Sequence, residues 1–320
     1  MNKDIAQIAL DVHAHLAPIY PELLAGIDGV DWRSDTGQLA VDGHVIGVKK
    51  LFQPEQLLVW MDDQKIAQAW ISIPPPLYRQ QLSEEQAGPW FSYLNDGLDR
   101  ICVAYPDRLR PLYHLPLEHP ALSADIARKC IEAGNSGFSA AAGGHERIIY
   151  SDSAYEPLWE LLDSHSSFIF MHPGHCCDGR LSAFYLENLV GNPHETAVAV
   201  SHLIFGGVCQ RYARIRFCLA HGGGTMALLA GRLQQGFDTS RPGLDTSLQC
   251  PRKALSRFRV DCILHDADTV ALAANVFGEE HVLFGSDWPF PMGLLRPHEQ
   301  LAQVEGSLRR RIFVLNADTL

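Results

Sequence analysis

Ile8-Ala9-Leu10-Asp11-Val12-His13-Ala14-His15 is a short apolar run, 8–12, that ends on two histidines one residue apart. Alternate residues of a strand face the same side, so His13 and His15 can reach one ion together. Further β-rich apolar runs follow at 69–73, 109–114, 137–141, 168–171, 215–220, 258–261 and 282–284. Between most of them lie helix-length amphipathic stretches, as at 54–64, 90–105, 121–133, 154–164, 196–212 and 268–277. Strands alternating with helices across more than roughly 250 residues predict an α/β fold, a (β/α)8 TIM-type barrel. A doubly wound open sheet has the same local pattern, but no GxGxxG follows the first strand. With no repeat and no long linker, residues 1–320 read as a single barrel domain.

One stretch departs from the alternation. GQLAVDGHVIGV, at 37–48, alternates apolar and polar residues around Asp42-Gly43, a strong short hairpin signal. Residues 16–50 are therefore expected to be an insertion after strand one that carries a small β-hairpin. Loops after barrel strands lie on the active-site face, so the insertion is expected to act as a lid over the mouth.

Composition narrows the function. Against 26 Lys plus Arg stand 37 Asp plus Glu, a formal net charge of −11 over 320 residues. An acidic chain without a basic run argues against nucleic acid or an anionic membrane surface as partner. No stretch approaches the ~18 uninterrupted apolar residues of a membrane span, and the first residues lack the pattern of a signal peptide. The eight cysteines form no CxxC pair, and most sit in apolar runs, which points to a reduced, cytoplasmic protein.

Three more expected strand ends carry metal-competent groups. The run at 168–171 leads into His172-Pro173, that at 215–220 into His221-Gly222-Gly223-Gly224, and that at 282–284 into Gly285-Ser286-Asp287-Trp288-Pro289. In a closed barrel these ends converge on one face with His13 and His15. Imidazoles and one carboxylate suit zinc first, with manganese or iron as alternatives. Spacing alone does not separate the ligands from an acid/base histidine. The fourth strand runs into Gly137-Phe138-Ser139-Ala140-Ala141-Ala142 without a bridging lysine, which favours one metal ion over two. No GxS-type elbow offers a serine nucleophile. His175-Cys176-Cys177 holds soft donors, but adjacent thiols converge poorly on one ion, and loop packing is the preferred role.

Together these motifs resemble the amidohydrolase superfamily, and within it the metal-dependent decarboxylases typified by 2-amino-3-carboxymuconate-6-semialdehyde decarboxylase. The likeness extends from LDVHAHLAP through PEQLLVWMDDQ, AYPDRLRPL, HPGHCCDGR, LVGNPHETA, AHGGG and GRLQQGFD to GSDWPFP. It implies that His13, His15, His172 and Asp287 hold one divalent metal and that His221 is the acid/base residue. It implies a homodimer in which Arg232 reaches the substrate carboxylate in the partner's site, with Phe290 on the pocket wall. Val48 stands where the family has a second carboxylate-binding arginine, and Lys49 and Lys50 follow as substitutes without the planar two-pronged donor. The implied activity is nonoxidative decarboxylation of a small unsaturated or aromatic-derived carboxylic acid. A metal-dependent hydrolase or hydratase on the same fold is the alternative. A non-catalytic binding protein is disfavoured by the intact metal set.

Overall fold

The computed structural model describes residues 6–320. β1 (Ile8–His15) leads into a small antiparallel sheet of β2 (Val30–Arg33), β3 (Gln38–Val41) and β4 (His44–Ile46), after which β5 (Ile66–Ser72) runs beside β1. There follow β6 (Leu109–Pro111), β7 (Tyr113–Leu115), β8 (Gly137–Ala141), β9 (Phe168–His172), β10 (Arg216–Leu219), β11 (Arg259–Asp261) and β12 (Val282–Leu283). β1, β5 and β6 pair in parallel, as do β7 through β12 in order.

Backbone bonds join the two sets. The Leu112 N–H, between β6 and β7, donates to the Ile71 carbonyl at 2.8 Å, so β6 and β7 are two halves of one strand. On the other side Val12 donates to Phe284 at 3.0 Å and His15 to Trp288 at 2.9 Å, which brings β1 against the chain leaving β12. The result is the expected (β/α)8 barrel. Alternation along its strands, reset in β1 by a register shift between Asp11 and Ala14, sends Leu10, Val12, Leu112, Phe168, Phe170, Cys218 and Leu283 into the interior, where they form one cluster. A larger apolar layer fills the space under the surrounding helices.

Local chemistry explains where helix bounds differ from the periodicity. The helix expected from residue 90 begins at Glu84, because Ser83 and Gln86 form a reciprocal capping box, and Pro89 is carried inside. The stretch expected to be one helix over 196–212 is two, Asn192–Phe205 and Val208–Arg211, broken where Gly207 takes φ 71°.

The hairpin forms at the expected turn. Asp42 (φ 49°) and Gly43 (φ 82°) are both left-handed, as a two-residue hairpin turn of this hand requires. β2 adds a third strand that the alternation did not reveal. Leu39, Val41 and Ile46 are buried in the main core. The Arg79 guanidinium pins the turn: it donates to Asp42 Oδ1 at 2.6 Å, to Asp42 Oδ2 at 2.9 Å and to the Asp28 carbonyl at 2.9 Å, and lies over the Trp90 ring. Among the described residues no helix is long and apolar enough to cross a membrane. Because Arg79 is buried and Asp42 is only partly so, Arg79→Ala should lower stability by about 2–3 kcal/mol, read as a shifted urea midpoint with an unchanged m-value.

Candidate metal centre

The strand ends meet as their sequence positions suggested. His13 and His15 leave β1, His172 closes β9, and Asp287 follows β12 in a left-handed conformation (φ 57°). All four are buried, and one donor atom from each lies within 4.8 Å of the others. Their remaining ring nitrogens are held from behind. His13 Nδ1 meets Asp261 Oδ2 at 2.7 Å, His172 Nδ1 meets the Pro173 carbonyl at 2.7 Å, and His15 Nδ1 meets Ser72 Oγ at 3.1 Å. A carbonyl or a carboxylate accepts, so Nδ1 of His172 and His13 carries the proton and Nε2 presents a lone pair.

Those lone pairs face one another. His13 Nε2 and His15 Nε2 are 3.1 Å apart, and Asp287 Oδ1 is 3.2 Å from each. His172 Nε2 and Asp287 Oδ1 are buried without a hydrogen-bond partner. Buried acceptors left facing each other are costly unless a cation sits between them. This donor set, three imidazoles and one carboxylate with each imidazole braced from behind, fits a single divalent ion.

Electrostatics agree. Burial opposes ionisation of Asp287, yet the positive charge of His13 and the other imidazoles gathered around it hold its carboxyl well below the usual range. Burial also disfavours charge on His13, but Asp287 and Asp261 pull it up to about 10, a proton standing where a cation would supply the charge. Burial, helped by the neighbouring imidazoles, keeps His172 well below its ordinary value and so a lone-pair donor at neutral pH.

His221 lies beside this cluster but outside it. Its Nε2 is 3.8 Å from Asp287 Oδ2, and its side chain is one-fifth exposed (21%) on the cavity wall. The backbone there is unusual: His221 takes φ 54°, and the three glycines that follow are all left-handed. A Cβ on Gly224 would come within 2.5 Å of the Pro193 carbonyl, so glycine there serves both the turn and the close approach of the helix Asn192–Phe205. The structure thus sets His221 apart from the four-donor cluster, a separation that spacing alone left open.

Sequence reading missed three supporting residues. Asp261 is fully buried; besides His13 it accepts the N–H groups of His221 (3.0 Å), Gly222 (2.9 Å) and Ile263 (3.0 Å). Burial raises its pKa, but the His13 bond and charge and the other donors bring the net shift down. Its signal was available, since it ends the strand expected at 258–261. Asp11 Oδ1 accepts from the His13 and Ser286 N–H groups, both at 3.0 Å, and clips β1 to the loop of Asp287. Glu195 accepts from Gly144 at 2.9 Å and Cys177 at 3.2 Å, tying two barrel loops to the helix Asn192–Phe205. No local pattern announces that role.

A cavity of about 650 Å³ opens onto the centre, with His172, His221, Asp287, Phe290, His175 and Cys176 in its wall. Phe290 also sets its ring edge-on to His15 at 5.5 Å. Lys49, Lys50 and Arg232 are exposed, and none of the three lines the cavity of its own chain. Lys49 donates instead to the Thr36 carbonyl at 2.7 Å, and Val48 packs against the core. No residue of the 16–50 insertion lines the cavity either. Cys176 is buried and Cys177 exposed, and neither joins the metal cluster.

Comparison with known proteins places this geometry. The chain is 28% identical over 311 residues to 2-amino-3-carboxymuconate-6-semialdehyde decarboxylase of Dictyostelium discoideum, covering 93% of this chain and 86% of that protein. Its fold matches the crystal structure of 5-carboxyvanillate decarboxylase from Sphingomonas paucimobilis with a TM-score of 0.81 at 18% identity, covering 98% of each chain. A dihydroxybenzoic acid decarboxylase from Polaromonas, with bound manganese and 2-nitroresorcinol, matches with a TM-score of 0.78 at 18% identity, over 98% of this chain and 96% of that one. Residues 10–320 match the family model described as amidohydrolase, and the chain belongs to that family.

Proposed function

We propose that the protein is a metal-dependent nonoxidative decarboxylase of a small unsaturated or aromatic-derived carboxylic acid, an aminocarboxymuconate-semialdehyde-like substrate included. The observation that carries this reading is the pairing of one braced four-donor centre with an acid/base histidine that is not a ligand, both on one cavity. When bound, a divalent ion supplies a Lewis acid for a substrate oxygen. The similarity to named decarboxylases supports this chemistry over hydrolysis or hydration.

In the reaction the bond between the substrate carbon and its carboxylate breaks, carbon dioxide leaves, and the electron pair stays on carbon until a proton arrives. His221 is placed to deliver that proton from Nε2 and to recover one afterwards, with Asp287 Oδ2 beside the ring to steady its charged form. Asp261 fixes where the ring can be, because it holds the His221 and Gly222 N–H groups. Phe290 and the loop held by Glu195 close the sides of the cavity and limit water around the reacting carbon. Zinc is the first choice of metal, with manganese or iron as alternatives. The eight free cysteines suit a cytoplasmic setting.

The functional unit we favour is a homodimer. Leu228 is 75% exposed one helical turn before Arg232, and Phe184 (88%) and Tyr185 (64%) stand exposed on the loop that forms part of the cavity wall. Exposed apolar side chains of this kind suit a second copy, whose Arg232 would bring to the site a guanidinium where this chain's own cavity lining has neither Lys nor Arg. The carboxylate substrate would meet it with a charge-assisted bond.

Elemental analysis of protein purified without chelator should find about one divalent ion per chain. A content near zero after metal supplementation, or near two, would refute the mononuclear centre. His221→Ala should keep its metal while losing about 10²–10⁴-fold in kcat. Loss of the metal in that variant would make His221 a ligand. Arg232→Ala should weaken substrate binding roughly ten- to a hundredfold, the equivalent of about 1.5–3 kcal/mol. Mixing His221→Ala chains with Arg232→Ala chains should restore activity, since one site of each mixed dimer then carries neither lesion. Inactivity despite verified subunit exchange would place Arg232 outside the partner's site.

A further inference from the structure

The far end of the barrel interior is basic. Arg110, Arg216 and Arg259 each precede by two residues a residue that faces inward: Leu112 and Cys218 in the interior cluster, and Asp261, which meets His13. By strand alternation the three arginines share that interior face, near the strand starts and away from the metal centre. Arg110 and Arg216 line a second cavity, of about 450 Å³, with Trp70, Phe168, Asn135 and Ser136. Trp70 and Phe168 meet edge to face at 4.7 Å and form its apolar floor. Part of the interior cluster, with Val12, Phe170 and Leu283, lies along the barrel between this cavity and the metal centre.

Among the described residues the two guanidinium groups in its wall, which Leu320 also lines, have no Asp or Glu partner. The neighbouring Arg108 and Arg214 pair with Asp62 at 2.8 Å and Asp163 at 3.0 Å. Among the described residues no carboxylate pairs with Arg110, Arg216 or Arg259. Arg216 Nε donates to the Ser166 carbonyl at 3.0 Å and Arg259 Nη2 to the Thr319 carbonyl at 3.1 Å, while Arg259 Nε is buried without a partner. Burial disfavours the charge on both Arg216 and Arg259. A chain of net charge −11 that sets Arg110 and Arg216 beside an aromatic floor, with Arg259 near by at the same end of the barrel, has built a complement to an anion with an apolar body.

We propose that this cavity is a second ligand site, distinct from the metal centre, for a small aromatic carboxylate held by Arg110 and Arg216 and packed on Trp70 and Phe168. The assignment does not depend on the decarboxylase reading. It is tested by calorimetric titration of the metal-loaded full chain with benzoate, comparing wild type, Arg110→Gln/Arg216→Gln and His172→Ala. The double variant should bind benzoate at this site at least roughly tenfold more weakly while keeping its metal content, and His172→Ala should retain the site. Arg110→Gln alone, at an exposed position, should weaken the same binding and carries the test if the double variant does not fold. Benzoate binding that is unchanged in the arginine variants overturns the proposal. So does binding of inorganic phosphate without benzoate, which would make the cavity a site for a bare oxyanion.

Discussion

One buried carboxylate, Asp261, sets the register between the two chemical halves of the site. One of its oxygens takes the Nδ1 proton of His13, and the same carboxylate takes the N–H groups of His221 and Gly222. The first bond orients a metal ligand. The others fix the turn that presents His221 to the cavity. One side chain outside the cavity wall therefore positions both His13 in the metal cluster and His221 on the wall. Its ionisation is sustained by four donors in a setting where burial alone would favour the neutral acid.

The same economy of charge runs through the catalytic face. Asp11, Asp261 and Asp287 are all buried, and each is answered by backbone N–H groups, imidazoles or both. Without a cation such a set would leave oxygen and nitrogen lone pairs facing each other, and the carboxylates of Asp287 and Asp261 accordingly favour positive charge on His13. The far end of the barrel shows the reverse balance, with guanidinium groups that lack carboxylates. A barrel separates two such fields well, because the packed apolar layers of its interior keep water and counter-ions from averaging them.

The insertion after β1 shows how a surface element becomes part of the scaffold. Its turn needs two left-handed residues, and its apolar side chains enter the main core. Arg79 then ties the turn to the loop after β5. The segment between β4 and β5 is held in the same way: Leu51 is buried and Val48 packs against the same core.

Much of this molecule is written locally. Alternating apolar runs and amphipathic stretches determine the succession of strands and helices, because side-chain periods of two and 3.6 residues dictate which faces are buried. The HxH of β1, the strand-end His172 and Asp287, and the Asp42-Gly43 turn are likewise legible, since each depends on neighbours within a few residues. What needed the folded chain is every pairing across long separations. His13 and Asp261 are 248 residues apart, and no periodicity links them. The exclusion of His221 from the ligand set rests on a few ångströms of placement, and the absence of Lys49, Lys50 and Arg232 from the cavity wall on how the helical segments that carry them pack. The basic cluster at the far end exists only because closure brings β6, β10 and β11 round one axis. Local patterns decide which way a side chain points from its strand; only the closed barrel decides what it meets there.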